Sequence, residues 1–273
     1  MQHGYNKESK VYGRSRLARC AGIIAAILFP TFCIGTIAHA ADEIQVYTDD
    51  INDPGKAALE LHTNYVIEGR RDPSYPGELA PHHVFNLTPE FSYGVTRRFE
   101  LGLYLPFSHD VGNSSGYSNG IKFRAKWLNV GEAGDGFYGV NFELSNSSSL
   151  VSEDRWNAEI RPIFGVAQGA WSFAVNPILG LSISGASQRP EFKPAVKIDR
   201  NISEDFKVGV EHYASLGLLD NMVGAHDQSH TTYLVTDFKA AGYDFNLGIG
   251  RGWRNADEQW TVKLIIGGIP LGE

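Results

Sequence analysis

The sequence predicts an all-β fold: a single antiparallel, up-and-down transmembrane β-barrel of about twelve strands, with both termini in the periplasm. Three observations carry the prediction. The chain opens with a secretory leader, a two-residue alternation recurs along the remainder, and the connections between alternating stretches are long and short by turns. Glycine occurs 30 times in 273 residues and aromatics make up 12%. The glycine content exceeds the ~7% of ordinary proteins and suits a chain of many strands and turns.

The leader spans residues 1–40. A basic opening, Lys7, Lys10, Arg14, Arg16 and Arg19 against one acid, runs into an apolar stretch from Cys20 to Ile37. It ends Ala38-His39-Ala40, the small-x-small order of a signal peptide cleaved after Ala40. Both cysteines, Cys20 and Cys33, fall inside it. The mature chain therefore has no disulfide scaffold, thiolate metal site or cysteine nucleophile. Five of the 24 bases and one of the 31 acids lie in the leader, so the remainder carries a net charge of −11. That excludes nucleic acid as a partner, because phosphate binding needs a basic face.

Residues 41–55, rich in aspartate, are expected to be an acidic periplasmic arm that is solvated, with a plug entering the barrel mouth as the sharper reading. The barrel is expected to fill 56–273. No mature stretch has 18 consecutive apolar residues, so no helix spans a membrane. Alternation instead marks strands near 57–67, 84–95, 99–108, 120–128, 137–145, 156–166, 171–183, 191–199, 206–218, 231–239, 243–252 and 259–268. Phe99, Leu101, Leu103 and Leu105 share one face, and Ile121-Lys122-Phe123-Arg124-Ala125-Lys126-Trp127 has an apolar and a cationic face. Aromatics near strand ends, among them Trp127, Trp156, Trp171 and Trp260, suit the girdles of a membrane barrel.

Long polar connections fall near 68–83, 109–119, 146–155, 184–190, 219–230 and 253–258. Short ones fall near 96–98, 129–136, 167–170, 200–205 and 240–242. Long extracellular loops alternating with short periplasmic turns are the pattern of the bacterial outer membrane, the expected location. A soluble sandwich or lipocalin-like barrel would share the alternation, but not the girdles or the charged second face.

Ile44 to Val66, Tyr233 to Trp253 and Trp260 to Pro270 resemble proteobacterial outer-membrane proteins grouped with the family named for the meta-pathway of phenol degradation. The resemblance implies an outer-membrane transporter or channel and carries over no catalytic residues. The chain departs from many barrels at its end, Ile269-Pro270-Leu271-Gly272-Glu273, where an aromatic residue is read by the insertion machinery.

If the apolar sets face lipid, their alternates face the lumen, since an outward Arg or Lys at midplane costs ~2–4 kcal/mol. The expected lining is Glu60 and His62, then Glu90, then Glu100 from the first three strands. The row Lys122, Arg124 and Lys126 follows, with Glu143, then Glu159 and Arg161. Lys193, Lys197, Lys207, Glu211, Arg251 and Lys263 complete it. These residues either form an ion-pair network filling a narrow interior or line a small charged path that tunes solute selectivity.

Neither an enzyme, nor a cofactor, nor a metal site is expected. Ser108, His109, Ser114, Ser115 and the Ser118-Asn119-Gly120 run sit in one loop, but His109 lies nine residues before Ser118 where an outer-membrane phospholipase has two. His226, Asp227 and His230 occupy a loop without helical pattern. The expected function is a channel or transporter-like barrel that passes or binds a small solute through a charged, narrow lumen. A lipid-acting hydrolase and a closed structural barrel are the alternatives. Expected partners are outer-membrane lipid and lipopolysaccharide, a small solute, and the barrel-assembly machinery during insertion.

Overall fold

The computed structural model describes residues 43–131, 136–185, 188–254 and 258–271. The leader and its cleavage site lie outside the described residues. Strand elements are β1 (Ala57–Glu68), β2 (Val84–Thr96), β3 (Phe99–Tyr104), β4 (Phe107–Asp110), β5 (Ser115–Ser118), β6 (Gly120–Val130), β7 (Phe137–Ser147) and β8 (Trp156–Gln168). They continue with β9 (Trp171–Ser182), β10 (Glu191–Ser203), β11 (Phe206–Ser215), β12 (Gly217–Leu218), β13 (Asn221–Met222), β14 (Ser229–Ala240), β15 (Tyr243–Gly252) and β16 (Trp260–Pro270).

Antiparallel pairing runs in chain order around the sheet, and β1 pairs with both β2 and β16, which closes a twelve-stranded barrel. The surplus elements have local causes. One wall strand breaks at Leu105-Pro106 into β3 and β4, because Pro106 has no N–H to give the ladder. Its neighbour breaks opposite, at Asn119, whose N–H turns to the Pro106 carbonyl at 2.8 Å. The hairpin β4–β5 occupies part of what the sequence suggested as loop 109–119. A second small hairpin, β12–β13, decorates the loop between β11 and β14.

Four of the five short turns shrink to two residues: 97–98, 169–170, 204–205 and 241–242. Ala241 and Gly242 both have positive φ, 52° and 85°, the backbone that lets a two-residue turn follow the twist of its strands.

Side chains alternate between two chemically different surfaces. The outer wall exposes Phe123, Phe142, Phe164, Leu234 and Leu247, a continuous apolar surface far larger than soluble monomers tolerate. The inner wall buries Asn141, Asn176, Glu211 and Lys263 almost completely. It is not uniformly polar: Leu128, Phe137, Ile163, Ala174, Ile178 and Ala195 form an apolar cluster inside the barrel.

Candidate lumen site

The cationic row lies on one inward face of β6, while Phe123 and Trp127 of the same strand are exposed outside. Register explains its partners. Lys126 stands directly opposite Glu100 on β3, and Arg124 opposite Glu143 on β7. Lys126 Nζ lies 3.0 Å from Glu100, and Lys122 Nζ 3.2 Å from Glu143. Arg124 reaches across Gly102 to bridge Glu90 and Glu100, each at 2.6 Å. A Cβ on Gly102 would come within 2.6 Å of Arg124 Nε. Glycine is what lets the guanidinium lie flat against the wall.

The acids of β1 and β2 join the same network. Glu60 and Glu90 are cross-strand partners, and His62 Nε2 sits between them at 3.0 and 3.1 Å. These three groups could converge on a metal ion. Each is already engaged, His62 with both carboxylates and Glu90 with Arg124. Arg161 pairs with Glu159 at 2.8 Å. Across the barrel, Lys197 pairs with Glu211 and Asp237, and Lys263 with Glu211. Lys193 is 3.8 Å from Glu191, and Lys207 is half-buried opposite Asp237.

Arg251 is a correction. It is exposed on the outer wall, on the same side of β15 as Leu247 and Ile249, with its guanidinium 4.9 Å from the Trp260 ring. Its parity is that of the exposed apolar set. Because it sits at the end of the strand beside the long loop, no midplane penalty forces it inward.

The second correction concerns the segment before β1. Ile44, Val46 and Tyr47 are buried, and among the described residues of the acid-rich stretch Asp49, Asp50 and Asp53 to Gly55 stay exposed. The wall holds this segment mostly by its backbone. Lys263 Nζ donates to the Ile44 carbonyl at 2.8 Å, Arg161 to that of Gln45 at 3.1 Å, and Lys126 to that of Asp50 at 2.7 Å. The Asn52 N–H donates to Glu100 at 2.7 Å. Tyr47 contributes its side chain: its hydroxyl is 2.8 Å from that of Tyr104 and donates to Glu143 at 3.2 Å, while Arg161 lies over its ring at 4.3 Å. The Glu43 carboxylate, 2% exposed, lies between Lys122 and Arg161 at 3.9 and 3.8 Å. The segment thus joins the two ion-pair networks in mid-lumen instead of lying free in solvent.

Sequence reasoning missed Glu43, Tyr47, Tyr104, Asn141, Asn176 and Asp237. The last four have inward parity, so polarity at those positions was the available signal.

No protein family and no curated protein matches the sequence. Solved structures do. An outer membrane channel from Pseudomonas putida F1 superimposes with a TM-score of 0.54 at 12% identity, covering 84% of this chain and 100% of that one. The KdgM porin gives a TM-score of 0.51 at 13% identity, over 77% of this chain and 97% of that one. At such identities the likeness establishes the fold alone, a closed antiparallel β-barrel.

Proposed function

We propose that the protein resides in the bacterial outer membrane and passes or binds a small solute through a narrow, charged lumen. The observation that carries this reading is the contrast between an apolar outer wall and an ion-paired interior with Ile44, Val46 and Tyr47 buried in it. Twelve strands give a bore between a side-chain-filled eight-stranded barrel and an open porin. The segment narrows it further. The resemblance to the meta-pathway phenol-degradation group points to the same transport class. In this reading the chain matures at Ala41, enters the membrane through the barrel-assembly machinery and projects its long loops outward. Swelling of proteoliposomes in sugars and amino acids of graded size tests it. Uptake limited to the smallest solutes supports a narrow path; no uptake by correctly folded protein supports a closed structural barrel.

One observation favours a second reading, a lipid-acting hydrolase. On the outer wall the Thr232 hydroxyl lies 2.8 Å from His212 Nδ1, and His212 Nε2 lies 3.2 Å from His230 Nδ1. A hydroxyl beside an imidazole is the minimum for a nucleophile and its base. Fatty-acid release from phospholipid vesicles, lost in Thr232→Ala, would support this reading over transport.

A further inference from the structure

Arg251 stands in a row of outward residues set by strand register. His212 on β11 is the direct partner of Thr232 on β14, Thr232 of Arg251 on β15, and Arg251 of Trp260 on β16. Direct partners have Cβ atoms ~4.5–5.5 Å apart, so these side chains form one continuous strip. The acid in the row, Glu68, lies on the far side of Trp260. Arg251 makes no ion pair among the described residues, and Trp260 supports its guanidinium from one side.

The strip is held in place. Trp253 Nε1 donates to Thr232 Oγ1 at 2.9 Å, and His212 Nδ1 meets the same oxygen. His212 and His230 stack with centroids 5.4 Å apart, and His230 Nε2 is 3.2 Å from Gln228 Oε1. One set of tautomers lets every proton in this chain be donated in a single direction, from Thr232 through His212 and His230 to Gln228. Immediately toward the barrel middle the wall turns apolar, with Val210, Leu234, Ile249 and Val262 at the next outward positions.

We propose that this strip, centred on Arg251, binds the phosphate headgroup of lipopolysaccharide. The proposal rests on the outer-membrane reading, which puts the long-loop end in the outer leaflet. An unpaired planar guanidinium backed by Trp260 matches a phosphate, which accepts several hydrogen bonds in a fixed fork, and the Thr232–His212–His230 chain, its own protons committed, gives the headgroup a polar surface to lie on. The apolar surface next to it matches acyl chains, so the ligand is a phosphorylated lipid instead of a free anion. The opposite end of the barrel provides the contrast. There Arg200 also faces outward, 5.5 Å from the Trp171 ring, but its other partner is Val208. No hydroxyl or imidazole flanks it, so that pair is an interfacial anchor only.

The test uses the full mature chain in nanodiscs of phosphatidylcholine doped with bisphosphorylated lipid A or its dephosphorylated form, with bound lipid counted by native mass spectrometry. Wild type retains the phosphorylated lipid about tenfold better, the ratio that ~1.4 kcal/mol supplies. Arg251→Gln loses that preference, Arg251→Lys recovers part of it, and Arg200→Gln keeps it in full. Heat-modifiable migration in detergent gels shows that each variant is folded. Equal retention of the two lipids by inserted wild type, or an unchanged preference in Arg251→Gln, would overturn the headgroup site and leave the membrane reading standing. A chain that folds but does not enter the bilayer would overturn both.

Discussion

Asn176 grips the backbone of Tyr47 with both ends of its amide. The Tyr47 N–H donates to Asn176 Oδ1 at 2.7 Å, and Asn176 Nδ2 donates to the Tyr47 carbonyl at 3.1 Å. Both residues are buried. A side chain on the barrel wall therefore stands in for a neighbouring strand and satisfies a residue of the inner segment that has no sheet partner.

Asn176→Ala leaves the N–H and carbonyl of Tyr47 buried without these partners. Each unsatisfied group costs ~1–3 kcal/mol. Amide hydrogen exchange over residues 44–52 should accelerate at least tenfold, while exchange in the β7–β8 ladder stays unchanged. Equal protection in the variant would show that the apolar contacts of Val46 and Tyr47 hold the segment without the amide.

The barrel was legible because a strand with one apolar outer face and one polar inner face writes its geometry into every second residue. The same rule defined the row Lys122, Arg124 and Lys126 and its neighbours Glu100 and Glu143. Arg251 was misread by giving charge priority over parity. Its outward position is affordable only because it lies at the strand end, and depth is not written in the alternation. For residues 41–55 a solvated arm was preferred over a plug for a different reason. Most of the bonds that hold the segment end on its peptide groups, which every sequence has. The legible trace lay on the wall: Asn176 at an inward position, and Gly94, where a Cβ would come within 2.3 Å of the Asp53 carbonyl oxygen. A glycine inside a strand marks a close backbone approach, but it does not say which segment approaches.

Replacing Lys122, Arg124 and Lys126 together by glutamine should act first on stability. The row is ion-paired along its whole length, and breaking one buried pair by removing a partner costs ~3–5 kcal/mol. Urea unfolding in lipid should show a loss of more than ~3 kcal/mol. Adding Glu90→Gln and Glu100→Gln should recover a large part of it, because the stranded charges are removed. A row serving only as a selectivity filter would leave the unfolding midpoint where it is.

In the first long loop, desolvation, the Arg71 guanidinium and the neighbouring His83 hold the His82 imidazole below its ordinary value of 6.5. The rings of His82 and His83 stack 3.9 Å apart. A lowered histidine value means that the folded loop favours the neutral ring. Its contribution to loop order is complete above about pH 6.5 and is lost as the pH falls from there. Proton NMR titration should place His82 below 6.5, and Arg71→Gln should move it upward. A wild-type midpoint at or above 6.5 would contradict the arrangement.

Single-channel conductance in planar bilayers tests the central claim most directly, that the inner segment narrows a charged path. The comparison is between the wild type, a chain lacking residues 44–51, and Gly94→Ala, whose methyl group would collide with the backbone of Asn52 and Asp53. Gly116→Ala is the control, since a Cβ there meets nothing nearer than 4.0 Å. The structure predicts a small conductance for wild type and control, and a several-fold larger one for both the deletion and Gly94→Ala. A deletion chain that is folded and inserted but conducts no more than wild type would contradict it.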